Sequence, residues 1–114
     1  MNTDEPNQLH QTFDKMWAEI RSFGLYAGQP SNWQSRMAVS IAEHAVRLAT
    51  TAANVDLLLQ AHDMLRYALT ANEQSLEALP YYEQVIAGYE AQGNLARASR
   101  VRIGYVEALL HSGR

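Results

Sequence analysis

Residues 36–74, RMAVSIAEHAVRLATTAANVDLLLQAHDMLRYALTANEQ, can be laid without gaps on residues 76–114, LEALPYYEQVIAGYEAQGNLARASRVRIGYVEALLHSGR. The shift brings the helix punctuation of the chain into phase. Asn54 falls on Asn94, Ala38 on Ala78, Glu43 on Glu83, Ala68 on Ala108 and Leu69 on Leu109, while Val46/Ile86, Val55/Leu95 and Leu65/Tyr105 stay apolar. Small or apolar residues therefore coincide at helical spacing across two helices and the turn between them. Repetition at a fixed shift marks arrays in which each unit buries its apolar side only against the next. A plain helical bundle with a coincidental spacing is the alternative.

Outward from this stretch, the residue pattern predicts five helices, over 4–28, 32–50, 55–72, 76–92 and 95–112, in one domain spanning 1–114. The first carries Leu9, Phe13, Met16, Trp17, Ile20 and Phe23 on one stripe. Gly24 offers a stop, but Leu25-Tyr26-Ala27 can continue the helix to Gly28-Gln29-Pro30, where proline forces a turn. Ser31 with Gln34 has the form of a capping box for the second helix, whose expected buried stripe is Trp33, Met37, Ile41, Ala45 and Leu48, flanked by Ala38, Ala42 and Ala49. Asn54 caps the third helix, with Leu58, Ala61, Leu65, Ala68 and Leu69 inward and Leu57 and Met64 widening that side. Ser75 is the expected cap of the fourth, which bears Leu79, Tyr82, Ile86 and Tyr89 and holds Pro80 in its first turns. Gly93-Asn94 supplies a left-handed stop followed by a new cap. No apolar run alternates with period two for long enough to be a strand, so the expected class is all-α with antiparallel neighbours.

The fifth helix has two apolar stripes, Ala98, Val101, Tyr105, Ala108 and Leu109 on one side and Ile103, Val106 and Leu110 on another. One neighbour cannot bury both. The expectation is either a segment of a longer array or an end that self-associates, with a homodimer through this helix as the simplest closed form.

A chain of 114 residues can enclose one core, and 47% apolar with 18% charged residues is a globular composition. The net charge of −3 has the wrong sign for a general nucleic-acid binder. Residues 94–114 run against it, with Arg97, Arg100, Arg102 and Arg114 opposed by Glu107. No window approaches the roughly 20 apolar residues of a membrane span, and the sequence opens without the pattern of a signal peptide, so a cytoplasmic location is expected. His10, His44, His62 and His111 form no ligand pattern, because Glu43-His44 and His62-Asp63 are neighbours that point about 100° apart on a helix. No phosphate loop or nucleophile elbow is present. Neither a metal, a cofactor nor catalysis is expected.

The segment Ala78-Leu79-Pro80-Tyr81-Tyr82-Glu83-Gln84-Val85-Ile86 resembles the second helix of a tetratricopeptide repeat, with a small residue, an aromatic four on and an apolar residue three further. Tyr105-Val106-Glu107-Ala108-Leu109-Leu110-His111-Ser112-Gly113-Arg114 is similar to that family's first helix and its closing glycine. The shift of 40 exceeds the ~34 usual for the repeat and resembles the longer variants of kinesin light chains and of large bacterial signalling and protease-associated proteins. The resemblance implies a right-handed superhelical stack and a concave groove lined by the first helix of each pair. By register, that groove would offer Arg21 and Leu25, then Gln60, Asp63 and Tyr67, then Arg100, Ile103, Glu107 and Leu110. It implies a protein-protein interaction scaffold for a peptide or partner helix. A structural homo-oligomer, or a small-ligand or enzymatic helical domain with a pocket among Trp17, Trp33 and the tyrosines, are the other readings.

Overall fold

The computed structural model describes residues 5–26 and 30–112, and it is all-α: α1 (Glu5–Ser22), α2 (Trp33–Thr51), α3 (Val55–Ala71), α4 (Ser75–Ala91) and α5 (Leu95–His111), with no strand among the described residues. Gly28, Gln29, Gly113 and Arg114, to which the sequence gives roles in turns, lie outside the described residues.

Three turns of one construction join α2 to α5. Ala53, Glu73 and Gly93 each take a left-handed conformation, with φ of 52°, 62° and 74°. The amide after each returns to the preceding helix, Asn54 N to Ala49 O at 3.1 Å, Gln74 N to Leu69 O at 2.8 Å and Asn94 N to Tyr89 O at 2.9 Å. This Schellman arrangement satisfies carbonyls that the helix end leaves orphaned. The same residue then opens the next helix, its carbonyl accepting from Leu58 N, Ala78 N and Ala98 N respectively. Asn54 and Asn94 add a side-chain cap, accepting from Leu57 N at 2.9 Å and Arg97 N at 3.2 Å. The equivalent Gln74 makes no such bond, and Ser75 is not the cap but a buried first-turn residue.

Short reversals of this kind make α2 to α5 antiparallel in sequence, each packed on the next, while α1 lies more lightly across α2 and α3. The body measures 51 × 33 × 20 Å. The even helices bury the same five positions of the forty-residue frame: Ser35, Ala38, Ala42, Ala45 and Ala49 in α2, and Ser75, Ala78, Tyr82, Val85 and Tyr89 in α4. The α2 stripe therefore differs from the expected one. Its alanines face the core and bring α3 close, while Trp33 is 61% exposed and Met37 is also exposed. Phe13, Ile20, Leu57, Met64 and Val85 are fully enclosed, each contributing about 1.5–3 kcal/mol by burial.

Two boundaries also differ from the sequence reading. α1 ends at Ser22, because Gly24 at φ 65° reverses the chain and turns Leu25 into the core. α2 is capped by Asn32 with Ser35, Asn32 Oδ1 accepting from Ser35 N at 2.9 Å and Ser35 Oγ from Asn32 N at 3.0 Å. Ser31 is engaged elsewhere, its amide donating to Glu73 Oε2 at 2.9 Å and its hydroxyl to Asn72 Oδ1 at 2.6 Å, which ties the start of α2 to the α3–α4 turn. Pro80 sits exposed inside α4, where its missing amide removes one intrahelical bond without breaking the helix.

Candidate functional site

A groove runs along the face where α1 and α5 rise on either side of α3. Three clefts merge to form it. The first, of about 350 Å³, is lined by Asp14, Trp17, Arg21, Asp56, Gln60 and Arg97 among others. The middle one, of about 330 Å³, shares Trp17, Arg21 and Arg97 with it and adds Arg66, Tyr67, Arg100 and Val101. The third, of about 250 Å³, shares Arg66 and Tyr67 with the middle one and continues along Leu25, Tyr82, Gly104 and Glu107.

Beneath the middle lies Asp63, 0% exposed, and its carboxylate is fully engaged. Arg66 Nε donates to Oδ1 at 2.7 Å and Arg66 Nη2 lies 2.5 Å from the same oxygen. Tyr89 Oη donates to Oδ2 at 2.6 Å, and Arg97 Nη2 reaches that oxygen at 3.3 Å. One carboxylate of α3 thus joins α4 and α5. A buried charge is tolerated only when paired and hydrogen-bonded in this way. Burial works against the Arg66 charge, but the Asp63 carboxylate and the Tyr82 hydroxyl outweigh it and raise its pKa above the ordinary value. Tyr89 is pushed up to about 12 by burial and then by the adjacent Asp63 carboxylate.

Aromatic rings fix the arginines. Arg21 Cζ stands 4.8 Å from the Trp17 ring centre, Arg66 Cζ 5.8 Å from Tyr67 and 5.4 Å from Tyr82, and Arg97 Cζ 5.4 Å from Tyr89. Trp17 and Tyr67 pack together at 6.0 Å between centroids, and Tyr67 Oη donates to Leu25 O at 2.6 Å, so the chain after α1 is pinned to α3. Thr70 Oγ1 donates to Arg66 O at 2.7 Å, which leaves Tyr82 Oη to donate to Thr70 Oγ1 across 3.0 Å. Gly104 lets α5 approach this ring, since a Cβ there would stand 3.1 Å from Tyr82 Cε1.

Of the residues the sequence offered for a groove, Arg21, Leu25, Gln60, Tyr67, Arg100 and Glu107 line these clefts. Asp63 lies under the groove as a positioning residue and does not line it. Ile103 and Leu110, 65% and 68% exposed, line none of the three clefts. With Val106 they are exposed on the solvent side of α5, where Ile103 and Leu110 adjoin the groove-lining Arg100 and Glu107 at helical spacing. The sequence placed Trp17 and the tyrosines in the alternative ligand pocket and did not offer Arg66 or Arg97 for a groove. Asp63-x-x-Arg66 at helical ion-pair spacing was the available signal for the first of the buried pairs. Nothing local announced that Arg97 would meet Asp63 from another helix.

Among the described residues no group of three acidic, histidine or cysteine side chains is placed to hold a metal ion, and no helix is long and apolar enough to cross a membrane. Compared with protein-family models, curated proteins and solved structures, the chain matches none.

Proposed function

We propose that this chain is a tetratricopeptide-like helical-repeat module that holds a peptide or partner helix in the groove between α1, α3 and α5, as a cytoplasmic scaffold and not as an enzyme. The observation that carries the reading is the merging of three clefts into one trough whose walls come from alternate helices. Its support is the recurrence, forty residues apart, of the turn at Ala53-Asn54 in the turn at Gly93-Asn94 and of the buried positions of α2 in α4.

The test is selection of a binding peptide from a random library on the purified chain, followed by amide NMR mapping. Shifts concentrated at Tyr67, Val101 and Gly104 are expected. Shifts confined to outward residues of α2 and α4, such as His44, Arg47, Gln84 and Ala87, would remove the groove from consideration.

The exposed side chains Ile103, Val106 and Leu110 favour a second reading, pairing of α5 with α5 of another copy. Light scattering over a range of concentrations distinguishes the two: a mass that stays monomeric at high concentration rules pairing out.

A further inference from the structure

We propose that the groove selects its ligand by charge, taking a peptide with two adjacent Asp or Glu side chains over the middle cleft and neutral or basic residues on both sides. This rests on the groove reading of the preceding subsection and names the ligand class for it.

The middle cleft brings together Arg21, Arg66, Arg97 and Arg100, with Asp63 beneath as the only carboxylate bonded to any of them among the described residues. Asp63 takes Nε and Nη2 of Arg66, which Tyr82 also engages, and a single Nη2 of Arg97, which Tyr89 also engages, so these two arginines lend the cleft their charge while Arg97, at 40% exposed, is the more open of the pair. Arg21 and Arg100 make no ion pair among the described residues. The cluster is also preorganised. Arg21, Arg66 and Arg97 are each stacked on an aromatic ring, which removes side-chain freedom that an ordinary surface arginine would lose on binding. A planar fork held in place is the geometry that takes a carboxylate through two parallel hydrogen bonds.

The number of acids follows from the walls. Arg21 comes from α1 and Arg100 from α5, on opposite sides of one cleft, so the cations without a carboxylate partner offer two anchors and not one convergent point. Two neighbouring carboxylates satisfy both. The charge also reverses along the trough, with Asp14 and Asp56 beside the first cleft and Glu107 beside the third. A polyanion with a phosphate at every step would meet these acids at both ends, and the chain as a whole carries −3. A peptide with a short acidic centre escapes that repulsion, which is why a peptide and not a nucleic acid fits.

The experiment uses blocked synthetic decapeptides measured by calorimetry and amide NMR on the whole chain. The probes are one with Asp-Glu at its centre, the same residues permuted to place the acids at the ends, an Asn-Gln counterpart, a central phosphoserine version, and a single-stranded oligonucleotide of equal length. The central-acid peptide is expected to bind at least tenfold more tightly than each of the others, with affinity falling as salt is raised. Arg21→Glu with Arg100→Glu, both outside the Asp63 network, should lose at least tenfold for that peptide and gain affinity for one with a Lys-Lys centre. Helix content of the variant is checked by circular dichroism, and the milder R21Q/R100Q pair repeats the test if the charge reversal unfolds the chain. Equal binding of the Asn-Gln peptide, indifference to the arginine substitutions, or preference for the phosphopeptide or the oligonucleotide overturns the proposal. Asn-Gln binding with shifts at Tyr67, Val101 and Gly104 would overturn only the charge claim, whereas shifts confined to α2 and α4 would overturn the groove itself.

Discussion

Removal of the Asp63 carboxylate should be the most damaging single polar substitution in the molecule. Asp63 is 0% exposed and accepts from Arg66, Tyr89 and Arg97. Asp63→Ala leaves the Arg66 guanidinium, whose side chain is 16% exposed, without its counterion and Tyr89 Oη without an acceptor. Deleting one member of a buried pair costs about 3–5 kcal/mol. The Arg97 side chain, at 40% exposed, can recover hydration, so the lower end of that range, about 3 kcal/mol, is the expected loss. Against a total of roughly 6–17 kcal/mol for a domain of this length, that is a large fraction, and it corresponds to a fall in Tm on the order of 10–20 °C. Asp63→Asn keeps an acceptor for Tyr89 and should cost about 2 kcal/mol. Removing both charges together, as Asp63→Met with Arg66→Met, should recover the part of the loss that comes from the stranded Arg66 charge, leaving the cost of Tyr89 Oη without its acceptor. Urea unfolding followed by helix circular dichroism measures all three. A loss below about 1 kcal/mol for Asp63→Ala, the value of an exposed ion pair, would mean that the carboxylate is not enclosed, and the account of the groove floor would fail with it.

The turns give an independent prediction. Ala53 holds φ 52° where the equivalent Gly93 holds 74°, so Ala53→Gly should stabilise the chain by about 0.5–1 kcal/mol and Gly93→Ala, with open space around its Cβ, should destabilise it by a similar amount. Thermal unfolding reads both, and a loss of stability in Ala53→Gly would contradict the assignment of that turn. The pH dependence follows from Tyr89. With its folded pKa at about 12 and its unfolded value near 10, the folded chain holds the proton longer. Its contribution is present below pH 10 and is lost as pH rises from about 10 to 12. Tm measured across that window should fall, with a shallower slope in Tyr89→Phe; an equal slope in both chains would clear Tyr89 of the effect.

Helix content and turn positions were legible because they rest on local chemistry. Asn54 and Asn94 cap through their own side chains, and the left-handed residue before each caps the preceding helix through the backbone, so both signals lie within a few residues. The end of α1 was misread for a related reason. The Gly24 stop and the apolar run after it compete on equal terms in the sequence, and the choice is made by a tertiary contact, the burial of Leu25 with its carbonyl under the Tyr67 hydroxyl. The face of α2 was misplaced because size was weighed over approach. Trp33 and Met37 are the larger apolar residues, but alanines at 38, 42, 45 and 49 allow the closer packing on α3 and take the inward side. For the groove, the tetratricopeptide resemblance carried by register named Arg21, Tyr67 and Arg100, and these three line the clefts between α1, α3 and α5. The link from Asp63 to Tyr89 and Arg97 depends on how α4 and α5 cross α3, which no spacing along one helix encodes.

The forty-residue frame puts Asp63, Arg66 and Thr70 of α3 at the positions that Ile103, Val106 and Leu110 hold in α5. In α3 these positions are covered, and they meet Tyr82, Tyr89 and Arg97 through directional bonds. In α5 they are apolar and open to solvent. The difference is one of register more than of strength. A buried ion pair adds little net stability over an apolar one, but a slip of one helical turn would strand its charges, so the polar joint tolerates a single placement of α4 and α5 against α3. An apolar surface has no such requirement and accepts neighbours in several registers. The joint that tolerates one placement is the one that sets where α5, and with it Arg97 and Arg100, stands against α3, and the permissive face is the solvent side of the same helix. Asp63 therefore couples stability to the shape of the candidate site: a substitution there should move the arginines that face the ligand even though its own side chain never touches it.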